Sequence, residues 1–203
     1  PETKQSILGP FWRLNSPRTK NGESIVRSKT PGSCMFVDLC YVDTDGAPLA
    51  GVEVDVWHAS TVGLYESQDS TQADMNLRGK FTTDETGHVW FGSIKPSGYP
   101  IPTDGVVGKL LAAQNRHPFR PAHLHALAFK EGFKTLTSQI YSESDEKLES
   151  DVQFGVTEAL ITRYQRHDEP HPEESSVKVP WYTMDCTLVM EHGKAELPAP
   201  PIK

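Results

Sequence analysis

The fold class of this chain is decided by two consecutive stretches, CMFVDLCYVDTDG (residues 34–46) and PLAGVEVDVWHAS (residues 48–60). In both stretches apolar and polar side chains alternate, which is the period of a half-buried β-strand. Asp45-Gly46 is a residue pair typical of the turns that join strands. The sequence therefore predicts two strands that follow one another at this turn.

Outward from these stretches, short apolar runs of the same kind recur between glycines and prolines, of which the chain has 15 and 16. The further strand candidates are GKFTTDETGHVWFGSI (79–94), PAHLHALAFK (121–130), TLTSQIYS (135–142) and WYTMDCTLVMEHG (181–193). Seven or eight short strands predict a mainly β protein, a β-sandwich with long loops. Trp57 and Trp90 lie in these strands, and we expect both in the core.

Helical signals are scarce. Residues 151–166, DVQFGVTEALITRYQR, place apolar side chains near a helical repeat and are predicted as the main helix. A shorter helix is predicted over residues 107–114. The 203 residues are enough for one domain with a buried core, so we expect a single catalytic β-sandwich domain over residues 1–203.

Composition narrows the class of partner. A formal net charge of -7 without a cluster of Lys and Arg argues against nucleic acid, whose phosphates need cationic side chains. The three cysteines show no zinc-binding or CxxC spacing, and no apolar run reaches the roughly 20 residues of a membrane span. We therefore expect a cytoplasmic protein with reduced thiols and no membrane contact.

The most specific local signal is PAHLH (residues 121–125), in which His123 and His125 are two positions apart. In a strand such residues point to the same face, so both imidazoles can reach one metal ion. No HExxH or cysteine set accompanies them, which disfavours zinc. A ferrous site completed by Asp55 or Glu66 is one open possibility.

Two tyrosines offer another ligand set. Tyr65 follows a predicted strand, and Tyr99 lies in the Gly-Pro-rich stretch KPSGYPIP. A lone buried tyrosine usually only packs in a core. Phenolate, however, is a hard anionic ligand, so two phenolates beside the histidine pair would favour iron(III) over iron(II).

The chain resembles the intradiol ring-cleaving dioxygenases, and most closely the hydroxyquinol 1,2-dioxygenase branch of that family. The resemblance rests on the order and spacing of seven stretches: SILGPFW (6–12), DVWHASTVGLYE (55–66), MNLRGKFTTDETGHVWF (75–91), SGYPIPTDGVVGKLL (97–111), RHPFRPAHLH (116–125), LTSQIYS (136–142) and SDVQFGV (150–156). It implies a prealbumin-like β-sandwich and a non-haem Fe(III) bound by Tyr65, Tyr99, His123 and His125.

The resemblance also assigns roles around the metal. Tyr99 matches the axial tyrosine that leaves when substrate binds, Arg120 the active-site arginine, and Gln139 the glutamine beside the ring. Four positions match the lining of the ring pocket, namely Ile7, Pro10, Phe11 and Val152.

The implied reaction joins dioxygen to an ortho-dihydroxylated ring, hydroxyquinol or else catechol, and gives a muconate-type dicarboxylate (maleylacetate from hydroxyquinol). Members of this branch usually begin with a helical segment that pairs two subunits. This chain starts almost directly at SILGPFW. A homodimer is therefore an expectation that this segment does not support. Alternatives are a transthyretin-like carrier, which needs no such ligand set, and a zinc hydrolase, which needs a carboxylate base.

Overall fold

Two β-sheets packed face to face form the framework of the protein, seen in a computed structural model that describes residues 1–201. One sheet has the order β10-β11-β1-β4, the other β3-β2-β7-β8-β9, and β5 pairs with β6. The strands are β1 (Cys34–Asp43), β2 (Glu53–Trp57), β3 (Arg78–Thr82), β4 (His88–Ile94), β5 (Tyr99–Pro100), β6 (Phe119–Arg120), β7 (His123–Phe129), β8 (Leu136–Ser142), β9 (Ile161–Thr162), β10 (Gln165–His167) and β11 (Trp181–Met190). The predicted β-sandwich is confirmed.

Alternation along the strands builds the core. In β1, every second side chain from Met35 to Tyr41 is buried, and these side chains meet those of Val54 and Val56 from the opposite sheet. Burying this apolar area, at about 25 cal/mol per Å², is what holds the two sheets together. Trp57 is fully buried as expected, but the prediction for Trp90 is wrong, because its side chain lies on an outer sheet face and is 42% exposed.

The turn at Asp45-Gly46 does connect two strands, yet those strands belong to different sheets. β1 already has hydrogen-bonded neighbours on both edges, antiparallel β4 and parallel β11. No edge of β1 is left for β2, so the chain crosses to the other sheet after the turn. The connection from β3 to β4 crosses in the same way.

The short predicted helix is confirmed as α1 (Val106–Ala113). The longer one over residues 151–166 is wrong: this stretch contains only a 3-10 turn at Glu158–Leu160 and the strands β9 and β10. The left-handed conformation of Phe154 (φ 54°) breaks any helix there. Ile161 then pairs with Tyr141 of β8, so tertiary pairing overrides the apolar period.

The outer face of the five-stranded sheet carries a polar row. Direct strand neighbours place Arg78, Trp57, His125 and Gln139 side by side across β3, β2, β7 and β8. The core side chains of β7, by contrast, are Leu124, Ala126 and Ala128, which point to the other face. Period two thus separates a packed inner face from a chemically active outer face.

An N-terminal strap, defined here as residues 6–12, covers this outer face. Gln139 Nε2 donates to the carbonyl of Ile7, and Arg78 Nη1 donates to the carbonyl of Phe11 at 2.6 Å. Trp12 Nε1 donates to the Asp55 carboxylate at 3.1 Å. The strap therefore turns an open sheet face into an enclosed one. Within residues 1–201, the structure has no helix with the length and apolar character needed to cross a bilayer.

Candidate metal centre

Four side chains with metal-ligand chemistry converge beneath the strap. His123 Nε2 and His125 Nε2 are 3.2 Å apart, and Tyr65 Oη and Tyr99 Oη are also 3.2 Å apart. Ring centroids separate Tyr99 from His123 by 5.5 Å and Tyr65 from His125 by 6.4 Å. All four residues are buried, with exposed fractions of 8% or less. The structure therefore brings together two phenols and two imidazoles at one place.

Local backbone explains how the tyrosines arrive there. Tyr65 precedes a short 3-10 turn, and Tyr99 opens β5, where it pairs with Arg120 of β6. Gly63 lies against Tyr99: a Cβ at this glycine, whose φ is +79°, would be 2.7 Å from the Cβ of Tyr99. Only glycine tolerates both that approach and that backbone conformation.

Burial keeps both imidazoles neutral. It lowers the pKa of His123 to about 3, with the nearby Arg120 cation adding to the effect, and it lowers the pKa of His125 well below its usual value. His123 Nδ1 lies 2.7 Å from the carbonyl of Pro121, so the proton sits on Nδ1 and a lone pair remains on Nε2. Neutral imidazoles with free Nε2 lone pairs are the form that binds metals.

The donor set fits a ferric ion. Two neutral Nε2 atoms that face each other at 3.2 Å are better satisfied by a shared cation than by each other. Burial raises the pKa of Tyr65 well above its usual value, and the adjacent Tyr99 adds to this, so the two phenols need a strong positive charge to ionise together. Iron(III) supplies that charge and prefers phenolate oxygen.

The carboxylate alternative finds no support. Glu66 Oε1 is engaged by Arg78 Nε at 2.8 Å and by Arg13 Nη1 at 2.9 Å. Asp55 accepts from Trp12, and burial raises its pKa to about 6. Within residues 1–201, no cluster of three or more His, Cys, Asp or Glu side chains could hold a metal. The three cysteines are free thiols.

Arg120 lies beside this centre in a dense network. Its Nη1 donates to His123 Nε2 at 3.2 Å, and its Nη2 donates to Gln139 Oε1 at 2.8 Å and to Tyr141 Oη at 3.1 Å. The Asp151 carboxylate accepts from Nε and Nη2, each at 3.1 Å. Burial opposes the charged guanidinium, but the ion pair with Asp151 outweighs it and raises the pKa of Arg120.

A cavity of about 500 Å³ opens onto the centre, a size suited to a small organic ligand. Tyr99, Arg120 and His125 lie in its wall. Two of the predicted pocket residues, Pro10 and Phe11, line it as part of the strap. A small aromatic molecule could therefore reach the candidate metal ligands from this side.

The other two predicted pocket residues lie elsewhere. Ile7 has a side chain that is 42% exposed and contributes only its carbonyl, which Gln139 binds. Val152 is buried at 6% exposure outside the cavity wall, and its N–H donates to the carbonyl of Phe119. Gln139 is not in the wall either, since its amide is used by Arg120, Tyr141 and Ile7. Their contact with substrate stays a prediction.

Three residues of the site were given no such role by sequence reasoning. Tyr141 lies two positions after Gln139 on β8, so the period of a strand could have placed it on the same face. Asp151 pairs with Arg120 across 31 positions, a separation that no local pattern indicates. Trp57 was expected only as a core residue, yet its ring stacks on that of His125.

Comparison with known proteins is consistent with this geometry. A family model described as "Dioxygenase" matches residues 7–186. A hydroxyquinol 1,2-dioxygenase of Rhizobium is 42% identical over 182 residues, which is 89% of this chain and 61% of the relative. A catechol 1,2-dioxygenase of Candida albicans is 38% identical and is matched by 82% of this chain over 55% of its own length. The chain thus spans about three fifths of the length of such curated relatives.

Solved structures give the same answer for the fold. A hydroxyquinol 1,2-dioxygenase from Pseudomonas putida superposes with a TM-score of 0.86 and 32% identity, over 95% of this chain and 67% of that one. A catechol 1,2-dioxygenase from Pseudomonas arvilla gives a TM-score of 0.90 and 31% identity, over 98% and 66%. Agreement at this level covers the whole sandwich, including the strands that carry the candidate ligands.

Proposed function

This chain belongs to the intradiol dioxygenase family, and from that premise we propose that it cleaves an ortho-dihydroxylated aromatic ring between its two hydroxyl-bearing carbons. Dioxygen is the second substrate, and both of its atoms enter the product, a muconate-type dicarboxylate. The observation that carries the proposal is the convergence of Tyr65, Tyr99, His123 and His125 beside the cavity.

Hydroxyquinol is the substrate we propose first, with maleylacetate as its product. Two relatives named hydroxyquinol 1,2-dioxygenase are 42% and 34% identical to this chain. Catechol is the alternative, since relatives named for catechol fall in the same range of identity. Oxygen uptake with the two diols distinguishes them.

A ferric ion bound by the four ligands would hold both diol oxygens and withdraw electron density from the ring, which opens the ring carbons to dioxygen. Tyr99 stands in the cavity wall while Tyr65 lies behind it at 1% exposure. Tyr99 is therefore the ligand that substrate can reach, and as a phenolate it can accept a diol proton at Oη.

Arg120 supplies fixed positive charge where negative charge grows on the ring during attack. The guanidinium is held on one side by Asp151 and on another by Gln139, so it needs no reorganisation when charge develops. Preorganised charge of this kind is usually the largest contribution to lowering a barrier. Gln139 then acts by positioning Arg120, in place of direct contact with the ring.

Iron and colour test the proposal directly. The purified protein, supplied with iron, should bind one ferric ion per chain and show a visible phenolate-to-iron charge-transfer band, giving a red to burgundy solution. It should consume dioxygen with hydroxyquinol faster than with catechol. His125→Ala should lose iron, whereas His88→Ala, on the other sheet and paired with Asp38, should keep it. Full iron and activity in His125→Ala would contradict the assignment.

Three further parts of the prediction stay proposals: a single catalytic domain over residues 1–203, a cytoplasmic location and a homodimer. The two last residues of the chain lie outside the described range. Size-exclusion chromatography with light scattering of the chain as printed measures its oligomeric state.

A further inference from the structure

The two candidate histidine ligands are held by different means. Metal-binding histidines nearly always donate their second ring N–H to a carboxylate, a carbonyl or water, and this contact fixes the direction of the metal-binding nitrogen. His123 follows the rule, since its Nδ1 lies 2.7 Å from the carbonyl of Pro121. His125 does not: its Nδ1 is buried and has no hydrogen-bond partner among residues 1–201.

A stacked indole takes up this position instead. Trp57 on β2 is the direct strand neighbour of His125 on β7, so the two side chains leave the sheet side by side. Their ring centroids are 4.6 Å apart and their planes differ by only 6°. Both rings are buried, with Trp57 at 0% and His125 at 2% exposure. The contact is an aromatic face-to-face pair, which adds about 0.5–1.5 kcal/mol to the burial of the two rings.

The surroundings leave the imidazole little freedom besides this contact. A Cβ built on Gly9 of the strap would lie 3.4 Å from His125 Cε1, so the strap backbone passes close to the ring edge. Trp57 is itself fixed in a buried cluster with Trp12, Tyr65 and Leu127. The indole is thus a rigid surface against which the imidazole plane is set.

We propose that Trp57 is a positioning residue for His125, whose stacked indole does for this ligand what the Pro121 carbonyl does for His123. Stacking fixes the plane of the ring and keeps Nε2 in the plane that contains the metal. The inference rests on the proposed function to the extent that His125 is an iron ligand. It predicts that the aromatic face of residue 57 controls how long iron is retained.

The test measures the first-order loss of iron from the holoprotein to excess chelator, followed by the decay of the visible phenolate-to-iron band. Trp57→Phe keeps an aromatic face and should lose iron at nearly the wild-type rate. Trp57→Leu keeps apolar volume without that face. Loss of an outer contact of a metal ligand typically costs about 10- to 100-fold in metal affinity, and we expect an acceleration of that order in Trp57→Leu.

Two matched variants separate stacking from general loosening. Trp90→Leu removes the same kind of side chain from the outer face of the other sheet, and Leu127→Ala loosens the cluster around Trp57 without touching the stack. Both should release iron at the wild-type rate. If Trp57→Leu does not fold, Trp57→Met replaces it, because its flexible side chain fills irregular space without an aromatic face.

A folded Trp57→Leu or Trp57→Met protein that keeps iron as long as the wild type overturns the proposal. So does a Leu127→Ala protein that loses iron as fast as either of them, since loosening alone would then explain the effect. A wild-type protein that never binds iron would instead refute the proposed function. The two failures are therefore distinguishable in one set of measurements.

Discussion

Substitution of Asp151 should expose how much the protein depends on one buried ion pair. Asp151 and Arg120 are each 2% exposed, and their two contacts are both 3.1 Å long. Removing one partner of such a pair leaves a buried charge without compensation, which costs about 3–5 kcal/mol. Asp151→Ala also removes the acceptor for the Gly155 N–H, now bound at 2.9 Å, which adds about 1 kcal/mol.

Two acceptors moderate this loss, because Gln139 and Tyr141 still receive Nη2 of Arg120. We therefore expect the lower half of that range, about 3–4 kcal/mol in the free energy of unfolding. For a chain of this size 1 kcal/mol shifts Tm by about 2–4 °C, so the loss is roughly 6 to 16 °C. Asp151→Asn should retain the contact with Gly155 but not the charge.

The assay is urea unfolding of the iron-free protein followed by circular dichroism. Lys134–Glu191 provides the matched control, a surface pair at 2.7 Å with side chains 55% and 42% exposed, and Glu191→Ala should cost under about 1 kcal/mol. The double variant Arg120→Met/Asp151→Leu should regain stability over Asp151→Ala, because neither charge is then buried. An Asp151→Ala protein as stable as the Glu191→Ala protein would refute the reasoning.

Three further outcomes are expected. Tyr99→Phe should keep part of the iron, since three ligands remain, but lower turnover of the diol; iron per chain and oxygen uptake measure this, and unchanged turnover would count against the role of Tyr99. Gly63→Ala should destabilise the fold by about 1–3 kcal/mol, because its φ of +79° and its contact with Tyr99 exclude a Cβ, and it should blue- or red-shift the visible band; a silent variant would contradict this. Burial lowers the pKa of His58 to about 4, so the unfolded chain gains a proton below about pH 6.5 that the folded one refuses. The iron-free protein should thus lose stability as pH falls from about 6.5 to 4, and His58→Asn should flatten that slope by up to about 1.4 kcal/mol per pH unit.

Which strands exist could be predicted from the sequence, because alternation is a local property of the chain. Which sheet each strand joins could not, since β1 finds its neighbours in β4 and β11, far along the chain. Trp57 and Trp90 illustrate the same limit: both lie in alternating runs, yet one strand face meets the strap and the other meets solvent. The stretch 151–166 failed because its period suits a helix while its residues are claimed by Arg120 and β8.

The candidate site was predictable to a different degree. His123 and His125 follow from strand geometry alone, and the structure places their Nε2 atoms 3.2 Å apart. The tyrosines came from resemblance, because nothing local distinguishes a ligand tyrosine from a packed one. Asp151 and the stack of Trp57 on His125 depend on contacts between distant segments, and such contacts only a three-dimensional description supplies.

The strap has a consequence for the order in which the protein is completed. Its carbonyl at Ile7 is bound by Gln139, 132 positions later. A growing polypeptide on the ribosome therefore exposes both histidines before the lid over them has anything to fasten to. Capture of the metal in its enclosed form must wait until β8 has been synthesised, which makes maturation of this centre a late, whole-chain event.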